Sequence, residues 1–306
     1  MEVLIATEKP FAKVAVDGIK DILTAAGFDV KLLEKYTSHS ELISAVATAD
    51  ALIVRSDKIS ADVFNAAKNL KIVVRAGAGY DNIDLEAATK SGVVVENTPG
   101  QNANAVAELV FGLAIMAARN KLDGTSGCEL KDKTLGLQAF GQVGRNVARI
   151  AKGFGMAVNA LDPYCTPETF NEAGVTAVTD VKELYKNNQY VSIHIPANEQ
   201  TKKSIGYELI TSMPKNGILI NTARKEVINE DELAKALRDR GDIKYVADVK
   251  PDNASELEKE FGAQVFFTPK KMGAQTSEAN INAGLAAARQ IVSYFTTGDK
   301  RFQVNK

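Results

Sequence analysis

Thr134-Leu-Gly-Leu-Gln-Ala-Phe-Gly-Gln-Val-Gly144 is the stretch of the chain that decides its fold. Thr134–Gln138 is a short apolar run typical of a buried strand, and the turn after it opens a helix predicted to end near Phe154. Backbone N–H groups at such a helix N-terminus bind a pyrophosphate. Ala139 stands where the fingerprint has its first glycine, so only the second and third glycines are present. The turn predicts cofactor contacts at Gly141, Gln142, Val143 and Gly144.

An acidic residue follows the next apolar run at the position where a dinucleotide site needs one. Asp162 ends the run Ala157–Leu161, about 20 residues beyond the turn, where a carboxylate accepts hydrogen bonds from the ribose hydroxyls. Pro163 and Tyr164 follow with no arginine close in sequence, so a 2′-phosphate would be repelled. The pattern predicts NAD rather than NADP. The competing interpretation of Asp162 is a turn residue before proline.

Outward from this stretch, short β-branched runs alternate with helical patterns over the whole chain. The runs lack polar alternation, which is typical of strands buried on both faces of a parallel sheet. Predicted strands are 3–6, 30–33, 51–54, 72–75, 93–96, 134–138, 157–161, 190–195, 217–221, 244–247 and 265–268, with the main helices at 12–26, 40–49, 59–69, 103–118 and 276–295. The pattern predicts an α/β fold with two doubly wound parallel sheets, divided near Thr98-Pro99-Gly100.

Composition excludes several classes of protein. The 306 residues carry 37 basic and 38 acidic side chains, a net charge of −1, which argues against a nucleic-acid partner. Two cysteines and two histidines argue against a disulfide framework and a zinc site, so no metal is predicted. The N-terminus does not resemble a signal peptide, and Ala103–Ala118 is too short to span a membrane. We expect a cytoplasmic protein without a membrane partner.

Polar or glycine-rich segments follow four of the predicted strands. They are Arg55-Ser56, Arg75-Ala-Gly-Ala-Gly-Tyr-Asp-Asn82, Asn97-Thr-Pro-Gly-Gln-Asn102 and Asn221-Thr-Ala-Arg224. In open α/β sheets, ligands bind outside the carboxyl ends of the strands. These segments are therefore candidates for the binding of a small-molecule substrate.

Together with His194-Ile-Pro196, Ala247-Asp-Val249 and Thr268-Pro269, these motifs resemble the D-isomer-specific 2-hydroxyacid dehydrogenases over nearly the whole chain. The resemblance implies a flavodoxin-like substrate-binding domain formed by residues 1–98 plus 280–306, and a Rossmann NAD-binding domain formed by residues 99–279. It also implies a homodimer. The implied reaction is hydride transfer between NAD and C2 of a 2-hydroxy acid.

The resemblance also assigns roles to individual residues. Arg224 corresponds to the arginine that binds the substrate carboxylate and polarises the keto oxygen, which suits a planar, bidentate guanidinium. Asp248 corresponds to the acid near the nicotinamide. The implied cofactor contacts beyond the turn are Asp162, His194, Pro196, Thr222, Ala223 and Asp248. The resemblance also implies that the backbone N–H groups of Ala78 and Gly79 help to bind the carboxylate. Arg55 and the pair Lys270-Lys271 are candidate cations for a substrate phosphate, and Ser56 and Asn102 are candidate substrate contacts because they lie in segments that follow predicted strands.

The chain departs from the family at its general acid/base. Lys270 and Lys271 follow Thr268-Pro269 where the family has histidine, and Asn253 stands where the family has the supporting glutamate. A carboxylate favours the charged imidazolium of a histidine, but it would oppose the deprotonation that a lysine base requires, so the two losses fit together. This chain resembles a subgroup of the family that has lysine at the histidine position and an Ala-x-Gly-x-x-Gly turn, since it shares both features. If positions are counted forward from Pro269, the lysine at the histidine position is Lys270, which we favour. If they are counted back from Gly273, it is Lys271.

Three functions compete at this point. The first is NAD-dependent oxidation of D-3-phosphoglycerate to 3-phosphohydroxypyruvate in serine biosynthesis, with Arg224 and Lys270 as catalytic residues. The second is glyoxylate or hydroxypyruvate reduction on the same scaffold. The third is an NAD-sensing interaction protein that has lost the chemistry, against which the retained Arg224 and Asp248 weigh.

Overall fold

The structure is a computed structural model that describes all residues from 1 to 306. Strands and helices alternate along the chain. The strands, numbered along the chain, are β1 Glu2–Thr7, β2 Asp29–Glu34, β3 Ala51–Val54, β4 Ile72–Arg75, β5 Val94–Asn97, β6 Thr134–Gln138, β7 Ala157–Leu161, β8 Thr176–Ala177, β9 Tyr190–Ile193, β10 Ile218–Asn221, β11 Lys244–Ala247 and β12 Val265–Phe267. The helices are α1 Lys13–Ala25, α2 His39–Val46, α3 Ala61–Ala66, α4 Leu85–Lys90, α5 Ala103–Ala118, α6 Gln142–Gly153, α7 Pro167–Glu172, α8 Val181–Asn187, α9 Tyr207–Ser212, α10 Glu230–Asp239, α11 Ala254–Glu260 and α12 Ser277–Thr297.

The chain divides into two units. The first unit comprises Met1–Asn102 and Gln275–Lys306, and the second comprises Ala103–Ala274. The sequence predicts boundaries after residues 98 and 279, a few residues away from these. The boundaries in the structure follow the helices, because α5 begins at Ala103 and the loop before α12 already belongs to the first unit.

The first unit is a five-stranded parallel sheet in the order β2-β1-β3-β4-β5, the flavodoxin-like order. The central strand β3 is buried along its whole length. Helix α12 packs on α1, where Ala283, Ala287 and Ile291 join the apolar cluster that contains Ile19. A segment near Gln303 pairs antiparallel with Glu96, at the outer edge of β5.

The second unit is a seven-stranded parallel sheet in the order β12-β11-β10-β9-β6-β7-β8. Strands β6, β7 and β8 extend from the centre of the sheet to one edge, and strands β9 to β12 extend to the other edge. This is the doubly wound order of dinucleotide-binding sheets. The order reverses between β6 and β9, and open α/β sheets bind ligands outside the carboxyl ends of the strands at such a reversal. Helix α5 packs on α6, β10 and β11, with Val110, Phe111 and Leu113 buried.

The prediction of an α/β fold with two doubly wound parallel sheets is confirmed. None of the helices combines the length and the apolar character needed to cross a membrane. The elements that the sequence does not predict are short: the edge strand β8 and helices α4, α7, α8, α9, α10 and α11.

Candidate cofactor- and substrate-binding residues

The turn between β6 and α6 has the geometry of a pyrophosphate-binding loop. Ala139 adopts the left-handed region, with φ +87°, at the position where the fingerprint has glycine. A Cβ at Gly144 would lie 2.5 Å from the Ala139 carbonyl oxygen, so only glycine lets the helix approach the strand this closely. A Cβ at Gly141 would meet no protein atom within 4 Å. The backbone at Gly141 is therefore open to a ligand.

The N-terminus of α6 presents backbone N–H donors, and no side chain of the cap or of the first turn accepts from them. Its N-cap Gly141 has no side chain to cap the helix, and its first turn contains no acidic residue. Unsatisfied N–H groups and the helix dipole favour an anion here. Gln142 is exposed and Val143 is partly buried beside these donors.

Asp162 joins the turn to the end of β7. Its carboxylate accepts hydrogen bonds from the backbone N–H of Phe140 at 2.7 Å and of Tyr164 at 2.9 Å. Each carboxylate oxygen has two lone pairs, so acceptor positions remain for ribose hydroxyls. Arg145, which directly follows Gly144 on α6, also reaches this region: its Nε donates to the Phe140 carbonyl, and its guanidinium lies 3.9 Å from the Cys165 sulfur. The sequence does not predict the contact with Cys165.

Buried Asn221 organises the segment that carries the predicted carboxylate-binding arginine. Its side-chain oxygen accepts from the Ala223 N–H at 2.9 Å, and its side-chain nitrogen donates to the Arg224 carbonyl at 2.9 Å. The partly buried Arg224 donates only to the Ala223 carbonyl and forms no ion pair with a carboxylate of the chain. The Thr222 hydroxyl is buried without a partner. The Arg224 guanidinium therefore keeps most of its donors, and the Thr222 hydroxyl lacks an acceptor within the chain.

Asp248 is buried at the end of β11 and fixes the segment that contains the two lysines. Its carboxylate accepts from the Thr268 hydroxyl at 2.9 Å and from the N–H groups of Met272 and Gly273 at 2.8 and 2.9 Å. The side chains of Lys270 and Lys271 are exposed within this segment.

His194 follows β9, and its backbone N–H donates to the Gln138 carbonyl at 2.9 Å. Its ring Nε2 lies 3.0 Å from the Ser192 hydroxyl. Burial lowers the pKa of His194 to about 3, so the imidazole is neutral at physiological pH. A neutral histidine on this strand does not replace the missing family histidine. Pro196 is exposed at the start of the loop that follows.

The carboxyl edge of the first unit carries two neighbouring arginines. Arg55 donates to the Lys9 and Pro10 carbonyls at 3.0 Å each and to Asn280 Oδ1 at 2.6 Å. Arg75, which ends β4, has a buried Nε without a partner. Its guanidinium covers Gly77, where a Cβ would lie 1.4 Å from the Arg75 Nη1 and φ is +152°. Burial and the nearby Arg55 lower the pKa of Arg75. Neither arginine pairs with a carboxylate, which suits an anion-binding edge.

Other predicted substrate contacts lie on the same edge of the first unit. Ser56 and Ala78 are exposed, and Gly79 and Asn102 are partly buried. The Asn97 side chain donates to the Ala78 carbonyl at 2.6 Å and so fixes the glycine-rich loop. Buried hydroxyls without partners occur at Thr7 and Thr98, each beside a strand end. The sequence predicts the segment that begins at Arg75 to bind substrate but gives Arg75 itself no role; its signal is its position at the end of a strand before two glycines.

The fold and the turn define the chain as a dinucleotide-binding protein of the dehydrogenase class. Residues 109–269 match the family described as "D-isomer specific 2-hydroxyacid dehydrogenase, NAD binding domain". The chain belongs to the D-isomer specific 2-hydroxyacid dehydrogenases, and the predictions of the family and of the cofactor NAD are confirmed.

Proteins similar to this chain include phosphoglycerate dehydrogenases and a hydroxypyruvate reductase. A crystal structure of NAD+-bound 3-phosphoglycerate dehydrogenase from Entamoeba histolytica is 47% identical, with a TM-score of 0.86, and the match covers 100% of this chain and 99% of that one. D-3-phosphoglycerate dehydrogenase from Methanocaldococcus jannaschii is 38% identical over 83% of this chain and 51% of its own length. Hydroxypyruvate reductase from Thermotoga maritima is 35% identical over 86% of this chain and 90% of its own length. The chain spans about half the length of the curated phosphoglycerate dehydrogenases that it matches.

Proposed function

We propose that this protein oxidises D-3-phosphoglycerate to 3-phosphohydroxypyruvate with NAD, a reaction that leads to serine. The observation that carries the proposal is the 47% identity, over the whole of both chains, to a 3-phosphoglycerate dehydrogenase. The geometry of the residues at the two strand edges supports it.

The residues of the second unit fit NAD. The open backbone at Gly141 and the uncapped N-terminus of α6 would bind the pyrophosphate. Asp162 would accept from the adenosine ribose hydroxyls and repel a 2′-phosphate. His194, Pro196, Thr222 and Ala223 would line the rest of the cofactor, with the unpartnered hydroxyl of Thr222 as a donor. Bound NAD supplies the acceptor for a hydride.

Arg224 would bind the substrate carboxylate through its planar guanidinium. Because no carboxylate of the chain pairs with it, it keeps most of its donors for the substrate. The same charge would stabilise negative charge developing on the C2 oxygen in the reduction direction. Arg224 therefore both orients the substrate and polarises the reacting carbonyl.

Lys270 would act as general base in the oxidation direction. As the C2–H bond breaks and its electron pair leaves as hydride, the C2–O bond gains its second pair and the hydroxyl proton passes to the neutral lysine amine. In reduction, the ammonium returns that proton to oxygen. Asp248 and Thr268 hold the backbone of this segment, since the Thr268 hydroxyl also lies 3.0 Å from the Lys270 carbonyl.

Arg55 and Arg75 of the first unit would bind the phosphate. Phosphate carries about two negative charges at neutral pH, and arginine pairs with it through two parallel hydrogen bonds. Ser56, the Ala78 and Gly79 N–H groups, Asn102 and Lys271 complete the proposed substrate contacts. A substrate without phosphate leaves the two cations without a counter-ion.

The second candidate is hydroxypyruvate or glyoxylate reduction. The observation that favours it is the match to 90% of the length of the Thermotoga maritima hydroxypyruvate reductase. The two candidates differ in what Arg55 and Arg75 do, because hydroxypyruvate and glyoxylate carry no phosphate.

We also propose a homodimer. Its support is the resemblance to the family and the partly exposed apolar side chains Leu109, Ile115 and Met116 on α5. Sedimentation velocity should give about twice the chain mass of 32.8 kDa. A monomer at micromolar concentration would contradict this proposal without affecting the enzymatic one.

Turnover assays separate the functions. With NAD, the protein should oxidise D-3-phosphoglycerate, and its kcat/KM for NADH-dependent reduction should be higher for 3-phosphohydroxypyruvate than for hydroxypyruvate or glyoxylate. Preference for an unphosphorylated substrate would favour the second candidate. NAD binding without turnover of any of them would favour the NAD-sensing alternative.

Variants of the two lysines test the mechanism. Lys270→Ala should abolish turnover and leave the Kd for NAD nearly unchanged, because the cofactor contacts lie elsewhere, whereas Lys271→Ala should be milder. The reverse result would assign the role to Lys271. If the double variant remains active, proton transfer by a lysine is wrong.

A further inference from the structure

Asp57 is a buried carboxylate that neither the cofactor nor the proposed chemistry uses. It lies two residues beyond Arg55 on the carboxyl edge of the first unit. We propose that Asp57 is a positioning residue, which holds Arg55 in the orientation needed to bind the substrate phosphate and so sets the preference for a phosphorylated substrate. This inference rests on the proposed function, because it assumes that Arg55 contacts the phosphate.

The contacts of Asp57 join the ends of several strands. One carboxylate oxygen accepts from the Glu8 N–H at 2.6 Å, after β1, and from the Tyr36 hydroxyl at 2.8 Å, after β2. The other accepts from the Arg55 N–H at 3.0 Å, after β3. The Asp57 carbonyl accepts from the Asn82 side chain at 2.6 Å, in the loop after β4. A single residue therefore fixes the loops of four neighbouring strands.

These contacts hold Arg55 from its backbone, while other groups hold its guanidinium. Nη1 donates to the Lys9 and Pro10 carbonyls, Nη2 donates to Asn280, and the guanidinium carbon lies 5.2 Å from the centre of the Phe11 ring. Of the five N–H groups of an arginine, these bonds leave about two for a ligand. Because the Lys9 and Pro10 carbonyls follow Glu8, Asp57 fixes both ends of this arrangement.

The Asp57 carboxylate does not bond to the guanidinium that it positions, and its charge acts on Arg55 only at longer range. All three hydrogen bonds to its carboxylate come from neutral donors, two backbone N–H groups and a phenol, and it forms no ion pair with Arg55. The Arg55 guanidinium therefore remains without a carboxylate partner. A direct ion pair would occupy the N–H groups that a phosphate needs.

The experiment compares Asp57→Asn with Arg55→Gln, the double variant, and Asp84→Asn as a matched control. Asp84 also accepts a backbone N–H, from Ala87 at 2.9 Å, but it caps α4 and does not contact Arg55. Asparagine keeps the size of the side chain and replaces one acceptor oxygen by a donor. Steady-state KM and kcat for D-3-phosphoglycerate, KM for NAD, and the thermal unfolding midpoint are measured for each variant.

We expect Asp57→Asn to raise the KM for D-3-phosphoglycerate about tenfold, with kcat and the KM for NAD within about twofold of the wild type. Asp84→Asn should leave all three unchanged. The double variant should be no worse than Arg55→Gln alone, because both substitutions remove the same interaction.

The alternative results are distinguishable. If Arg55→Gln raises this KM and Asp57→Asn does not, the positioning role is wrong and the phosphate role of Arg55 stands. If Asp57→Asn lowers kcat, raises the KM for NAD and lowers the unfolding midpoint together, its role is general structural support, and the proposal is overturned. If the wild type does not oxidise D-3-phosphoglycerate, or Arg55→Gln has no effect on its KM, the proposed phosphate contact itself fails, and this inference fails with it.

Discussion

Replacing Ala139 by glycine should stabilise the second unit. Ala139 adopts φ +87°, a left-handed conformation that costs an L-residue about 1–2 kcal/mol. Glycine removes that cost but loses about 0.5–1 kcal/mol through the greater freedom of the unfolded chain. The difference predicts that Ala139→Gly raises the free energy of unfolding by up to about 1.5 kcal/mol.

Two other substitutions in the same turn make the test specific. Gly144→Ala should destabilise the unit, because its Cβ would lie 2.5 Å from the Ala139 carbonyl oxygen and overpacking costs about 1–3 kcal/mol. Gly141→Ala should cost at most about 1 kcal/mol, since its Cβ meets no protein atom and only the helix cap changes. The same Cβ would occupy the space proposed for the pyrophosphate, so NAD should bind much more weakly.

Urea unfolding followed by circular dichroism measures these differences, since the chain has no tryptophan to report by fluorescence. The transition of the second unit is identified as the one that NAD shifts, because a ligand stabilises the unit that binds it. Isothermal titration calorimetry gives the Kd for NAD. A lower stability in Ala139→Gly would refute the strain argument, and unchanged NAD affinity in Gly141→Ala would refute the position of the pyrophosphate.

Three further predictions concern charged groups. Arg224→Lys should lower kcat/KM about a hundredfold or more, because a point charge does not replace a planar fork; near-wild-type kinetics would show that Arg224 does not bind the carboxylate. Asp162→Ala should raise the Kd for NAD more than the Kd for NADP, measured by calorimetry, and an equal change in both would contradict a ribose contact. Burial, together with the nearby Asp299, raises the pKa of Glu96 to about 7 from an ordinary value of 4.5. The native state then binds more protons than the unfolded state between these values, so stability should fall as pH rises from about 4.5 to about 7. Glu96→Gln should flatten that fall in urea unfolding at pH 5 and pH 8, and an unchanged slope would assign it to other groups.

The sequence predicts elements well where a single local property determines them. Helix α5 has the predicted bounds, Ala103–Ala118, because it is apolar on nearly all faces and flanked by polar residues. Strand β8 has two residues, and short helices such as α7 and α9 contain fewer than two full turns. Such elements have little periodicity, and tertiary contacts stabilise them more than propensity does.

The residues of the candidate site also fall into two groups, those that have a local sequence signal and those whose contacts are remote in sequence. The turn at Gly141 and the segment ending at Arg224 have local sequence signals, since glycines and polar residues directly follow predicted strands. The contacts that Asp57 and Arg145 make with remote residues have none. Asp57 reaches Glu8 and Tyr36, which are 49 and 21 residues away in sequence, and Arg145 reaches Cys165, 20 residues away. A periodicity or a motif does not encode contacts of that kind.

The return of α12 to the first unit affects how the chain is made. Residues 103–274 must be synthesised before α12 exists, which takes on the order of 10 to 30 s at about 5–20 residues per second. During that time the face of α1 that contains Ile19 lacks the helix that buries it. Strand β5 also lacks the later residues that cover its edge, where the Val304 N–H bonds to the Val95 carbonyl and Asn305 Oδ1 accepts from the Val95 N–H. An uncovered apolar face and an unpaired strand edge promote aggregation. The nascent first unit is therefore exposed to such association until α12 has been synthesised.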